Sequence, residues 1–207
     1  MCQRLLDGML DEPTRGLDAR LQETFFEILR TTQQRLQIPV VLVTHDLEEC
    51  SGIADQVYLI ENGRFLQSGP KGNVFSRPAN SDIARALGIF NVMPATIASL
   101  DPGKKTSRVR MLESEIEGPY FPGRLIGDQG FVCVQRSELE LSAPKQERSA
   151  NQLKLRIRAV TSGISGVRVQ FEGGMVAYVS ETKFASLREH DDLNVTIPAS
   201  AVYFVGK

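Results

Sequence analysis

A short apolar run ends at Leu10 in two adjacent carboxylates and a proline, Asp11-Glu12-Pro13, and a second run, Val40-Val41-Leu42-Val43, ends in Thr44-His45-Asp46. Between them, Ala19 to Leu36 carries Leu21, Phe25, Ile28, Leu29 and Leu36 on one face and Gln22, Glu23, Glu27, Arg30 and Gln34 on the other, the period of an amphipathic helix. Asp18 stands where an N-cap belongs, and Pro39 breaks the pattern before the second run. Strand, helix and strand in that order predict two parallel strands, Val40 to Val43 being read as buried on both faces. Ligands of open α/β sheets gather at the strands' carboxyl ends, which is where Asp11, Glu12 and His45 fall. Oxygen ligands in octahedral geometry suit Mg²⁺, so Asp11 is read as reaching that ion and Glu12 as orienting the water that attacks a γ-phosphate.

Leu10-Asp11-Glu12-Pro13-Thr14-Arg15-Gly16-Leu17-Asp18 resembles the Walker B and D-loop of ABC-transporter ATPases, and Thr44-His45-Asp46-Leu47-Glu48-Glu49 resembles their switch-histidine segment. The resemblance implies that Asp11 serves Mg²⁺, that Glu12 and His45 are catalytic, and that Asp18 belongs to the nucleotide-facing loop at the partner subunit. That family carries a Gly-rich P-loop, a Q-loop and an LSGGQ motif ahead of Walker B. No G-x-x-x-x-G-K-[ST] occurs in these 207 residues. The expectation is therefore a truncated site in which this chain alone binds ATP and Mg²⁺ weakly or not at all. Met1 to Leu10 should be the strand that delivers Asp11, although Asp7 and Gly8 interrupt it.

Leu47 to Ala54 reads as a short helix with Leu47, Cys50, Ile53 and Ala54 inward. Val57 to Ile60 and Arg64 to Gln67 flank Asn62-Gly63, a type I′ hairpin signal, and Gly69-Pro70 closes the hairpin. Ser81 to Leu87 is a last helix, capped by Gly88. Beyond Gly88 helical periodicity stops. Short apolar runs alternate with turn residues: 93–98, 107–112, 130–135, 153–160, 167–171, 175–180, 193–198 and 201–205, the texture of a small barrel or sandwich. Gly173-Gly174 offers a hairpin turn, and Ser180 to Leu187 is helical. The fold class is thus α/β, a partial P-loop NTPase sheet, followed by an all-β OB-like region. Domain limits are read at 1–88 and 89–207, the latter as two copies, 89–145 and 146–207.

Ser149-Ala150-Asn151-Gln152-Leu153, the Gly173-Gly174 hairpin, Leu187 and Ala199-Ser200-Ala201-Val202 resemble the TOBE or Mop-type domains appended to importer ATPases. Mop-type domains hold molybdate or tungstate with hydroxyls, amides and a lysine, so Ser149, Asn151 and Ser200 become oxyanion-binding candidates. Hydroxyls and amides suit a tetrahedral oxyanion because they donate several hydrogen bonds in a tight shell. Pro198 stands where that family has its lysine.

The resemblance implies an ATP-binding, energising subunit of an importer for molybdate or a related oxyanion. Its partners would be a second ATPase subunit and transmembrane permease subunits, and its place the cytoplasmic face of the membrane. The alternative is a stand-alone oxyanion-binding or regulatory module of the Mop type. A net charge of −1 offers no electrostatic footprint for nucleic acid. Phe121, Phe131, Phe171, Tyr178 and Phe184 fall at core spacing rather than as a stacking platform. Cys2, Cys50 and Cys133 are far apart and odd in number, which argues against a disulfide scaffold. No apolar run approaches the roughly 20 residues that span a bilayer.

Overall fold

The structure, a computed structural model, describes residues 8–144, 150–164 and 166–206. Contacts divide the chain into two compact units, Met1–Val74 and Phe75–Lys207. Among the described residues no helix is long and apolar enough to cross a membrane.

In the first unit, β1 (Met9–Asp11) pairs in parallel with β2 (Val41–Val43), Asp11 opposite Val43. Helix α1 (Ala19–Leu36) connects them, so the βαβ reading holds residue for residue over the helix. The Asp18 carboxylate accepts from the Leu21 amide at 2.9 Å, and Gln37 closes the helix in the left-handed region, satisfying end groups that have no partner inside the helix. Gly8, read as an interruption of the strand, is instead a close approach. A Cβ there would lie 2.6 Å from the Pro39 carbonyl oxygen, and the Gly8 carbonyl accepts from the Val41 amide at 2.8 Å. Residues 1–7 of the expected opening strand lie outside the described residues.

Helix α2 (Leu47–Ile53) follows, capped by Asp46, and then a hairpin of β3 (Gln56–Glu61) and β4 (Arg64–Pro70). Asn62 and Gly63 both have positive φ, 51° and 74°, as a type I′ turn requires. The buried parallel strand expected at Val40 to Val43 is a correction: Val41 and Val43 are exposed, as are Leu21, Ile28 and Leu36 of α1. A two-stranded sheet covers little of either face, and only Thr14, Val57 and Val74 are fully buried among the described residues of 8–74.

The second unit is all-β apart from short helices. Helix α3 (Lys71–Ser76) runs across the boundary between the units, and α4 (Ser81–Leu87) follows it, with Asn80 capping its start and Gly88, at φ 69°, its end. Ile83, Ala84 and Leu87 of α4 are buried. One antiparallel sheet has the order β14-β8-β5-β6-β7 and the other β12-β11-β10-β13-β9. Their strands are β5 (Phe90–Asp101), β6 (Thr106–Met111), β7 (Ser114–Pro119), β8 (Gln129–Gln135), β9 (Glu140–Ser142), β10 (Gln152–Gly163), β11 (Gly166–Phe171), β12 (Val176–Val179), β13 (Asp192–Thr196) and β14 (Tyr203–Gly206). Helix α5 (Glu181–Ala185) is the only other α-helix among the described residues of this unit.

The two sheets repeat one pattern. Each is built on a 12-residue strand, β5 or β10, whose register shifts once, between Ile97 and Ser99 or between Ile157 and Ala159. Such bulges bend a strand enough to wrap it round a core. Each sheet also takes its last strand from the other half of the sequence: β14 pairs with β8, and β9 pairs with β13. One apolar core lies within the unit, with Ile97, Val109, Ile116, Val132, Phe171, Leu193 and Ile197 nearly solvent-free.

One edge strand of each sheet is bonded by an asparagine. Asn91 Oδ1 accepts from the Val176 amide and its Nδ2 donates to the Val176 carbonyl, both at 2.8 Å. Asn151 does the same to Glu117, both at 2.7 Å. Val176 and Glu117 lie on the edge strands β12 and β7, so each side-chain amide stands in for a neighbouring strand and blunts an edge open to pairing.

Candidate functional site

Parallel pairing brings the ends of β1 and β2 together. The Glu12 amide continues the ladder by donating to the Val43 carbonyl at 2.8 Å, and the chains then separate into the turn before α1 and the entry to α2. Glu12 sits at φ 41°, in the left-handed region. A non-glycine residue held there stores backbone strain of about 1–3 kcal/mol, a feature that concentrates at functional sites. The turn is closed by the Arg15 amide on the Glu12 carbonyl at 3.1 Å and the Leu17 amide on the Thr14 carbonyl at 2.9 Å.

His45 Nδ1 lies 2.9 Å from Glu12 Oε1, and Arg15 Nη1 lies 3.0 Å from Glu12 Oε2. An ionised carboxylate only accepts, which places the proton on His45 Nδ1 and leaves Nε2 free to face solvent. The His45 hydrogen bond, with Arg15 adding to it, holds the Glu12 carboxyl below its ordinary value of 4.5. Asp11, Glu12 and Arg15 line an open recess of about 420 Å³. The side chain of His45 is 83% exposed and that of Glu12 31%.

Behind this pair is a second layer. Glu49, in the first turn of α2, accepts from the Thr14 hydroxyl with one carboxylate oxygen and from Thr44 Oγ1 at 2.7 Å with the other. Thr44 Oγ1 in turn accepts from the Asp46 amide at 3.0 Å, and Asp46 Oδ1 accepts from the amides of Glu48 and Glu49 at 2.7 and 3.2 Å. Sequence reading picked out Asp11, Glu12 and His45, which the fold brings to one edge. It missed Thr14, Arg15, Thr44 and Glu49, whose signal was their place inside the two motifs.

The remaining predicted residues lie elsewhere. The Asp18 carboxylate is engaged as the cap of α1. Ser149 lies outside the described residues. Asn151 has positive φ, 59°, and its amide is held by Glu117, while Ser200 is exposed in the one-turn helix Ala199–Ala201. A recess of about 380 Å³ in the second unit is lined by Ser142, Ser180, Lys183 and Thr196 among others, and takes in neither Asn151 nor Ser200.

No family model matches the chain. Among curated proteins it is similar to the Fe(3+) ions import ATP-binding protein FbpC of Rhizobium etli, 34% identical over 164 residues, covering 79% of this chain and 44% of that protein. FbpC of Agrobacterium fabrum is 27% identical over 187 residues, 86% of this chain and 46% of that one. The spermidine/putrescine import ATP-binding protein PotA of Nitrosospira multiformis is 28% identical over 150 residues, 72% and 40% respectively. Among solved structures, the cytoplasmic molybdate-binding protein ModG aligns with a TM-score of 0.48 and 16% identity, over 56% of this chain and 96% of ModG. The chain spans less than half the length of these three curated relatives. It is a homologue of the ATP-binding proteins of ABC importers.

Proposed function

We propose that the first unit supplies the carboxylate and imidazole wall of an importer ATPase site. One observation carries the reading: Glu12 and His45, 33 residues apart, meet at 2.9 Å beside Asp11 at the carboxyl ends of two parallel strands. The donor set fits Mg²⁺, which takes one or two protein carboxylates and fills its octahedron from phosphate and water. Asp11 is the residue assigned to hold it, and when bound the ion would neutralise charge developing on the phosphates. Glu12, kept ionised by His45 and Arg15, accepts a hydrogen bond from the attacking water and orients it. His45, with Nδ1 committed to Glu12, presents Nε2 toward the γ-phosphate. Asp18, the cap of α1, faces the partner ATPase subunit in this reading, and transmembrane permease subunits, met at the cytoplasmic face of the membrane, receive the work.

These residues are half of a nucleotide site, so turnover is expected only when a P-loop-bearing segment completes it. The test is phosphate release from Mg-ATP by this chain, by the P-loop portion of a related importer ATPase, and by the mixture. Release by the mixture alone, abolished by Glu12→Gln, is the expected result. Release by this chain alone, lost in Glu12→Gln, would overturn the dependence on a second segment. A mixture no faster than its parts would overturn the assignment of the site.

The second unit is proposed as a TOBE or Mop-type region of two copies, 89–145 and 146–207, and the matching strand orders of its sheets support this. The solute is proposed to be an oxyanion of the molybdate class, met by Ser149, Ser200 and the second N–H of the Asn151 amide. Calorimetry on the full chain decides. Heat on adding molybdate supports the assignment; heat on adding only Fe³⁺ or spermidine, the solutes in the relatives' names, or none at all, replaces it.

A further inference from the structure

We infer that Glu49 is a positioning residue that sets the Glu12 to His45 geometry; the inference rests on the reading of that pair as the reactive wall of the site. The ladder between β1 and β2 ends at the bond from the Glu12 amide to the Val43 carbonyl. Past that point, among the described residues, no backbone hydrogen bond ties the turn carrying Glu12 to the segment carrying His45. The next tie is the Glu49 carboxylate, which takes a hydroxyl from each side: Thr14, two residues after Glu12, and Thr44, one residue before His45.

The Glu12 to His45 contact is therefore bracketed, by a backbone bond on one side and by this bridge on the other. The contact itself is mostly solvent-exposed, and an exposed pair of that kind is worth too little to hold its own geometry. The bridge is better placed to do so, because Thr14 is only 4% exposed and its hydroxyl would lose a partner that water cannot readily replace. Glu49 is itself fixed, since Asp46 caps α2 and accepts from its amide.

Chain length matters to this bridge. Both carboxylate oxygens are used, one per threonine, so a side chain one methylene shorter cannot reach both while α2 stays capped. Glutamine keeps the reach: its carbonyl oxygen accepts one hydroxyl, and its NH₂ donates to the other threonine's oxygen. The expected order of function is therefore Glu, then Gln, then Asp and Ala together.

The test reads the histidine rather than turnover. The chain has two histidines, His45 and His190, and long-range ¹H–¹⁵N spectra at about pH 8.5, well above the ordinary imidazole value of about 6.5, report which ring nitrogen carries the proton in each. In the wild type His45 shows the Nδ1–H form that the bond to Glu12 selects. In Glu49→Ala and Glu49→Asp its signals move to the Nε2–H pattern of a free imidazole, while His190 and the far-UV circular dichroism stay put. Glu49→Gln retains the Nδ1–H pattern. An unchanged His45 spectrum in folded Glu49→Ala overturns the inference. Should Glu49→Ala fail to fold, Thr14→Val takes its place: it must shift His45 in the same direction, and an unmoved spectrum counts equally against the bridge. No nucleotide enters this experiment, so its failure is distinct from failure of the ATPase assignment, which the mixing assay alone decides.

Discussion

Replacing Asn91 with alanine should cost the second unit about 1–5 kcal/mol. The amide is 4% exposed and Val176, which it serves through both N–H and C=O, is 4% exposed as well. Truncation leaves one buried donor and one buried acceptor without partners, at about 1–3 kcal/mol each, and the side-chain entropy released offsets only about 1 kcal/mol of that. Asn151 provides the internal comparison, because it makes the same two bonds to Glu117 on a strand that water reaches. There solvent replaces the lost partners, and the loss falls to about 0.5–1 kcal/mol per bond. Asn151 has φ 59°, so the comparison variant is Asn151→Gly, which avoids the left-handed penalty alanine would add.

Urea unfolding reads the difference. The chain has four tyrosines and no tryptophan, and Tyr120, Tyr178 and Tyr203 lie in the second unit. In a Tyr58→Phe background tyrosine emission reports that unit alone. With an m-value of about 2 kcal/mol/M, Asn91→Ala should lower the midpoint by up to about 2.5 M and Asn151→Gly by about 0.5–1 M. A midpoint shift for Asn91→Ala no larger than for Asn151→Gly would refute the argument that edge burial sets the cost.

Gly130→Ala should destabilise the same unit by about 2 kcal/mol or more, since the added Cβ would meet the Val205 carbonyl oxygen at 2.2 Å across the β8–β14 pair; the same unfolding assay checks it. Burial pushes the Cys133 thiol up to about 12, against a small opposing effect of Arg85. In a Cys2→Ser, Cys50→Ser background at about pH 8, Cys133 should resist a thiol reagent until denaturant is added. Because that value is raised on folding from 9.0, the stability tied to the neutral thiol is complete below pH 9 and is lost as the pH climbs toward about 12, which a pH series of urea midpoints measures. Glu12 is depressed instead, so its contribution is present above about pH 4.5 and fades as the pH falls through its lower folded value. His45→Gln should raise the Glu12 midpoint, read by carboxyl NMR, toward 4.5; no movement would mean the hydrogen bond is not its cause.

The first unit was legible because its signals are local. Period, cap and breaker marked α1 at the residues where the structure ends it, and Asn62-Gly63 marked the hairpin turn. The site was legible as far as it rests on strand ends. Glu49 was not, because a carboxylate in the first turn of a helix reads as a solvated favourable charge until the fold delivers two threonine hydroxyls to it.

In the second unit the strands that escaped reading are the polar ones. β7 runs Ser-Glu-Ile-Glu-Gly-Pro behind a turn made by Leu112 and Glu113, both at positive φ without glycine or asparagine to announce it. β9 has three residues and is held by pairing with β13, far away in sequence. Sequence offers no local sign of such an exchange, because the partner of an edge is chosen by where the two sheets meet. The asparagines point the other way. Asn91 is the second residue of β5 and Asn151 the residue just before β10, the two strands that later bulge, and each asparagine bonds an edge strand belonging to the other half of the sequence. A short polar side chain that looks like turn chemistry in a one-dimensional reading is here a substitute strand. Its energetic weight depends on the burial of the edge it closes, which is why two identical bonding patterns should give unequal costs.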